Sequence, residues 1–146
     1  MNSILVVDDM PAVREPIALV LRRAGFEVRC AADGHDAVTQ AAERRPDLVL
    51  LDLCMPRMDG MSVLRVLRAR ADTANVPVIL LTASCNREHV LAAAKLGVRD
   101  YLVKSEFKLS EMLARVRKHL APQNEPTSKP TLPARAAELE LAGASN

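Results

Sequence analysis

Three short aliphatic runs, each stopping at a polar residue, constrain this chain more than any other feature. Ser3 to Val7 (SILVV) ends in Asp8 and Asp9, Leu48 to Leu51 ends in Asp52, and Val76 to Leu81 (VPVILL) ends in Thr82. Runs this short cannot make helices of useful length and read as strands buried on both faces. A strand covered on both sides needs helices above and below it, and the intervening stretches supply them.

From Pro11 to Ala24 the apolar positions Val13, Ile17, Val20, Leu21 and Ala24 recur at helical spacing, with Pro11 suited to the first turn and Gly25 to the C-terminal cap. Phe26 to Ala31 alternates like a strand with one face partly exposed. Gly34 to Arg45 reads as a second helix, with Ala37, Val38, Ala41 and Ala42 on one face and Pro46 barring its continuation. A strand from Asp47 to Asp52 follows, then a helix from Gly60 to Arg70 with Met61, Val63, Leu64, Val66 and Leu67 apolar. After the run at Val76, a helix from Arg87 to Leu96 closes at Gly97, a strand from Arg99 to Val103 ends at Lys104, and a last helix runs from Leu109 to Leu120. Strict alternation over short loops gives a parallel sheet with right-handed crossovers and helices on both faces. The strands around Ile4, Val49 and Val78 are the most apolar and belong in its middle.

With Phe26, Tyr101 and Phe107 the only aromatics among 146 residues, 49% of them hydrophobic, the core must be aliphatic. That also removes a stacking face for single-stranded nucleic acid. A formal charge of +2 is too small to argue for nucleic acid, so Arg14, Arg22, Arg23, Arg44 and Arg45 read as solvated helix faces. Cys30, Cys54 and Cys85 show no CxxC or His-partnered spacing, which argues against a disulfide framework or a zinc site and fits a reducing compartment. The chain enters a strand pattern directly after Met1, and no apolar run reaches the roughly 20 residues that span a bilayer. A cytoplasmic protein without membrane insertion is expected. After Leu120 the chain turns Pro-rich and polar, so residues 1–120 are expected to form one domain and 121–146 a flexible tail or linker. Within that tail, Ala134 to Ala142 has helix-forming residues but is too short to be stable alone.

In an open parallel sheet, ligands bind beyond the carboxyl ends of the strands, where the strand order reverses. At those ends the chain puts Asp8, Asp9, Asp52, Thr82 and Lys104. Each has a local alternative, since the acids and Thr82 could cap turns or helices and Lys104 could be solvated. Taken together, three neighbouring carboxylates repel and require a proton or a cation. An oxygen-only donor set suits Mg²⁺ or Mn²⁺, and a divalent ion beside an ammonium suits a phosphoryl group. No GxxxxGK[ST] or GxGxxG loop is present, and His35, His89 and His119 fall within or at the start of helices, which leaves Ser-His-Asp chemistry without its base. A carboxylate can itself be the nucleophile and form an acyl phosphate, and Asp52, central and alone on its strand, is the candidate.

The segments VVDD (Val6 to Asp9), DLCMPRMDG (Asp52 to Gly60), LLTAS (Leu80 to Ser84) and DYLVK (Asp100 to Lys104), in this order and spacing, resemble the receiver domain of two-component response regulators over about residues 2–120. The resemblance implies a (βα)5 doubly wound α/β fold, flavodoxin-like, with strand order 2-1-3-4-5. It implies Asp52 as phosphoacceptor, Asp9 and Asp52 as direct Mg²⁺ ligands, Asp8 acting through water, and the backbone carbonyl of Cys54 as a further ligand. Thr82 would hydrogen-bond the phosphoryl group, Lys104 would form an ion pair with it, and Tyr101 would be the switch aromatic that turns inward as Thr82 moves. Cys54 and Ser84 would flank the phosphoryl group and tune the access of hydrolytic water.

The same resemblance implies a histidine kinase or histidine phosphotransfer protein upstream and an effector protein downstream. The effector would meet the face of the fourth helix, fifth strand and fifth helix, where Val90, Ala94, Tyr101 and Val103 form an apolar patch. Direct contact with nucleic acid is not expected, and a phosphorylation-dependent homodimer stays open. Such a chain is a signalling domain with at most slow self-catalysed phosphorylation and dephosphorylation, not an enzyme. The family usually follows its lysine with a cis proline and then an aromatic, whereas here Ser105 follows Lys104 and Phe107 comes one residue late. A non-proline cis bond costs about 2.5–4 kcal/mol, so a trans bond and a reshaped loop are expected. Three other readings stand beside this one. The chain could be a receiver fragment of a larger regulator or hybrid kinase. It could be a Mg²⁺-dependent phosphohydrolase, although the DxD pair common in such enzymes is replaced by adjacent acids. It could also be a phosphate-independent binding module.

Overall fold

The computed structural model describes residues 1–83 and 87–121, so Ser84, Cys85 and the tail beyond Ala121 lie outside the described residues. Strands and helices alternate: β1 (Ser3–Val7), α1 (Pro11–Arg23), β2 (Glu27–Ala31), α2 (Gly34–Glu43), β3 (Leu48–Asp52), α3 (Gly60–Ala69), β4 (Val78–Thr82), α4 (Arg87–Lys95), β5 (Asp100–Val103) and α5 (Leu109–Leu120). All neighbouring strands are parallel, in the order β2-β1-β3-β4-β5. The three most apolar strands thus occupy the centre, and the half-polar β2 lies at an edge, as their patterns require.

Successive residues of the central strands face opposite ways and fill two separate cores. Leu5, Val7, Val49, Leu51, Val78 and Leu80 pack under α2, α3 and α4 with Ala37, Ala41, Val63, Leu64, Leu67 and Ala93. Ile4, Val6, Leu48, Leu50, Ile79, Leu81 and Leu102 pack under α1 and α5 with Ile17, Leu21, Met112 and Val116. Burying each such side chain contributes about 1.5–3 kcal/mol, which is why the interiors of these runs are aliphatic throughout.

The helices begin and end where the chemistry dictates. Asp33 caps α2 by accepting from Asp36 N at 2.8 Å, Asp59 caps α3 by accepting from Ser62 N at 2.9 Å, and Pro11 opens α1. Gly25, at φ +99°, closes α1 in the left-handed conformation that favours glycine.

Several expectations need correction. In α1, Ile17, Ala18 and Leu21 are buried, and the apolar positions Val13 and Val20 pack half-buried beside them, with Ala18 the one the spacing did not include. Ala42 is exposed, and α2 ends at Glu43 rather than Arg45, Arg44 being already extended. Strand β4 starts at Val78, not Val76, and runs on to include Thr82. Pro77 has no N–H to give a ladder, though its carbonyl accepts from Val49 N at 3.0 Å. Arg14 is not a solvated residue, since its side chain is only 14% exposed.

Candidate functional site

Strand register brings the polar strand ends together. Val7 pairs with Leu51, so the residues that follow, Asp8 and Asp52, emerge side by side from β1 and β3, the two strands where the direction of winding reverses. Thr82 pairs with Val103, so Lys104 leaves the sheet just past it, donating its backbone N–H to Thr82 O at 2.7 Å. All five strand-end residues therefore lie along one edge.

Asp8 is 0% exposed, Asp52 1% and Thr82 5%, while Asp9 is half-buried. Each of the two buried acids divides its oxygens between two tasks. Asp8 Oδ1 accepts from Met10 N at 2.9 Å and Asp52 Oδ1 accepts from Cys54 N at 3.1 Å, so both cap the turn that follows them. Their Oδ2 atoms are buried and have no donor apart from the ammonium of Lys104, which stands 2.9 Å from Asp8 Oδ2 and 3.1 Å from Asp52 Oδ2. The capping reading thus holds for the Oδ1 atoms, and the Oδ2 atoms are left facing the ammonium.

Burial pushes the Asp52 carboxyl up to about 6, with the charge of Asp8 adding to the rise and the Cys54 N–H and Lys104 opposing it. Burial alone would lower Lys104, but its contacts with Asp8 and Asp52 outweigh that and raise it. At neutral pH the site therefore holds ionised Asp52 against a charged Lys104.

Asp8, Asp9 and Asp52 each bring a carboxylate oxygen within 4.8 Å of the others. Two of these acids end in buried oxygens short of donors, and the donor set is oxygen alone, so the residues fit a hard divalent cation.

The loop after β3 is held close. Gly60 N donates to Leu53 O at 3.0 Å, and a Cβ on Gly60 would collide with the Asp52 carbonyl and lie 2.6 Å from Leu53 Cα. Cys54 is exposed on this loop beside Asp52. Beyond β5, the N–H groups of Glu106 and Phe107 both bond Val103 O, at 2.9 and 3.1 Å, forming a turn that absorbs the late aromatic and lets Phe107 pack on the α1/α5 core. No cis peptide occurs among the described residues, the Lys104-Ser105 bond included. Tyr101 is half-buried and packs on the α2–α4 core.

Sequence reasoning missed two features. Arg14 Nη1 donates to Asp8 O at 2.8 Å and so braces the end of β1. Asp100, 5% exposed, accepts from Arg115 at 2.6 Å and lies 3.1 Å from His119 Nε2, while Arg115 also holds Glu111 at 2.8 Å. Only the Glu111/Arg115 spacing of four was readable beforehand.

The sequence profile described as "Response regulator receiver domain" matches residues 4–117. The chain is 45% identical over 119 residues to the DNA-binding response regulator MtrA of Mycolicibacterium smegmatis, covering 82% of this chain and 50% of MtrA. It is 40% identical over 117 residues to the transcriptional regulator RpaA of a Synechocystis strain, covering 80% and 48%. The chain thus spans about half the length of these relatives. Its fold superposes on the chemotaxis protein CheY4 of Vibrio cholerae with a TM-score of 0.77 at 30% identity, covering 82% of this chain and 99% of that one. It also superposes on the receiver domain of sensor histidine kinase PA1611 from Pseudomonas aeruginosa, whose structure holds a magnesium ion in its active-site cleft, with a TM-score of 0.75 at 34% identity over 83% and 98% of the two chains. No helix among the described residues is long and apolar enough to cross a membrane. With its strand order, its acid-lined sheet edge and these matches, the chain belongs to the response regulator receiver domain family.

Proposed function

We propose that Asp52 accepts a phosphoryl group from a histidine kinase or histidine phosphotransfer protein, and that the new charge rearranges the face of α4, β5 and α5 to control binding of an effector protein. The observation that carries this reading is the one ammonium held between two buried carboxylates, 2.9 Å from Asp8 and 3.1 Å from Asp52. With Oδ1 tied to Cys54 N, Oδ2, which faces the Lys104 ammonium, is the nucleophilic oxygen, and a pKa of about 6 leaves it ionised at neutral pH. Oδ2 forms the new bond to phosphorus while the donor's P–N bond breaks. The electron pair stays on the histidine nitrogen, which takes up a proton, and Asp52 becomes an acyl phosphate.

Asp8, Asp9 and Asp52, with the Cys54 carbonyl, would hold Mg²⁺, or Mn²⁺ on the same oxygen set. When bound, the ion supplies neutralising charge for the transferred group. Lys104 supplies the fixed cation, and the Thr82 hydroxyl is the donor that follows the phosphoryl oxygens. Movement of Thr82 at the end of β4 draws Tyr101 inward from the neighbouring strand, where Leu80 and Tyr101 are paired. Cys54 and Ser84 set how readily water reaches the acyl phosphate.

Phosphorylation replaces one negative charge by nearly two, and contacts worth a few kcal/mol suffice to move a two-state equilibrium. This is the work of a signalling domain with slow self-catalysed gain and loss of phosphate. Residues 1–120 form that unit, with 121–146 as tail or linker. MtrA is named for DNA binding over a length about twice that matched here.

The test is intact mass after incubation with Mg²⁺ and acetyl phosphate, beside an Asp52→Asn control. One added phosphoryl group, abolished by EDTA and by the substitution, is expected. An adduct that persists in the control would place the acceptor elsewhere.

A further inference from the structure

The loop between β3 and α3 holds one residue in a conformation that its own side chain disfavours. Arg57 has φ +67°, the one non-glycine residue in the left-handed region among those described. A glycine would take this φ freely and an arginine does not. The residues around it explain why the conformation persists. Met55 is buried, Met58 packs on the α2–α4 core, and Asp59 caps α3. Gly34 abuts Met58 so closely that a Cβ there would lie 2.6 Å from Met58 O. The loop is therefore pinned on both sides of Arg57, which is exposed and makes no ion pair or hydrogen bond among the described residues.

The neighbouring site has the opposite need. Three carboxylates face one ammonium, and a divalent ion held there brings the formal charge only to zero, so the site itself has no net positive charge to attract an anion. A phosphoryl donor is an anion, and its encounter rate rises with positive charge near the site. An unengaged guanidinium on the loop that leaves Asp52 supplies that charge.

We propose that Arg57 is a steering residue that draws anionic phosphoryl donors to Asp52. The inference rests on the reading of Asp52 as acceptor. The side chain takes no part in the bond exchange and acts on encounter.

The test is the rate of phosphorylation by acetyl phosphate with Mg²⁺, followed by intact mass for the wild type, R57G, R57A and R57K. At low ionic strength R57G and R57A are expected to be about three- to tenfold slower at subsaturating donor, with the plateau rate at high donor unchanged. The gap closes as salt rises to about 1 M and the screening length falls to about 3 Å. R57K restores most of the rate. R57G also melts about 3 °C higher than the wild type, which excludes a folding defect as the cause of slower reaction. Equal rates for the wild type and R57A at low salt overturn the role of Arg57 alone, as does a gap that persists at high salt. A wild type that gains no phosphoryl group, indistinguishable from Asp52→Asn, overturns the acceptor reading and this inference with it.

Discussion

Removing the charge of Asp52 should stabilise the metal-free protein, although the residue sits in an ion pair. Its carboxyl is raised from an ordinary 3.8 to about 6, chiefly by burial and then by Asp8. At about 1.4 kcal/mol for each tenfold in proton affinity, holding it ionised costs the fold about 3 kcal/mol. The folded protein binds this proton more tightly than the unfolded chain, so stability is undiminished below about pH 3.8, declines as pH rises through about 6, and stays reduced above that. Asp52→Asn abolishes the titration. In EDTA at pH 7.5 the variant should therefore be more stable than the wild type by up to about 3 kcal/mol, and at pH 5 by about half as much. Urea unfolding reads this as a midpoint shift of about 1–2 M at pH 7.5. Mg²⁺ at a hundred times its dissociation constant adds about 2.7 kcal/mol to the wild type and less to the variant, which nearly closes the gap. A wild type as stable as Asp52→Asn at pH 7.5 without metal would refute the reasoning. It would mean that Lys104 and the Cys54 N–H outweigh burial and Asp8.

Three further outcomes are expected. Lys104→Met strips two buried carboxylates of their cation and should cost about 3–5 kcal/mol at pH 7.5, less at pH 5 where Asp52 protonates, with Mg²⁺ restoring much of the loss in a melting curve. Gly60→Ala forces a Cβ into the Asp52 carbonyl, so acetyl phosphate labelling should fall at least tenfold while the melting temperature drops by several degrees. Arg68→Met removes a guanidinium that donates to Leu96 O at 2.6 Å, Val76 O at 2.8 Å and Ala74 O at 3.1 Å, which should cost about 2–4 kcal/mol. Hydrogen exchange should place the loosened amides at the end of α4 and in the turn before β4.

The order of elements was legible because aliphatic runs and helical spacing report burial directly, and burial dominates the energetics. The strand ends were legible too, since a carboxylate cannot stay inside an aliphatic strand without a partner. What the sequence hid was pairwise geometry. Nothing in the residues around Lys104 says that its ammonium reaches both Asp8 and Asp52, because the contact joins β1, β3 and the segment after β5. Arg14 misled for a similar reason. A long stem with a polar tip looks solvated in sequence, yet Arg14 lies along the protein and ends on a backbone carbonyl. The buried Asp100 likewise depends on Arg115 and His119, fifteen and nineteen positions away.

The division of the core by the sheet has a mechanical consequence. Tyr101 belongs to the compartment under α2–α4, whereas its neighbour Leu102 belongs to the one under α1 and α5. A rearrangement of Tyr101 repacks the first compartment and can leave the second untouched. The core beneath α1 and α5 then serves as a bedplate, while only the outward face that α5 shares with β5 and α4 changes. In the proposed switch the α2–α4 compartment both stabilises the fold and repacks, while the α1/α5 compartment only stabilises it. Trimming Ile17 or Val116 should weaken the whole fold evenly, while trimming Ala93 or Tyr101 should change how far the two signalling states differ.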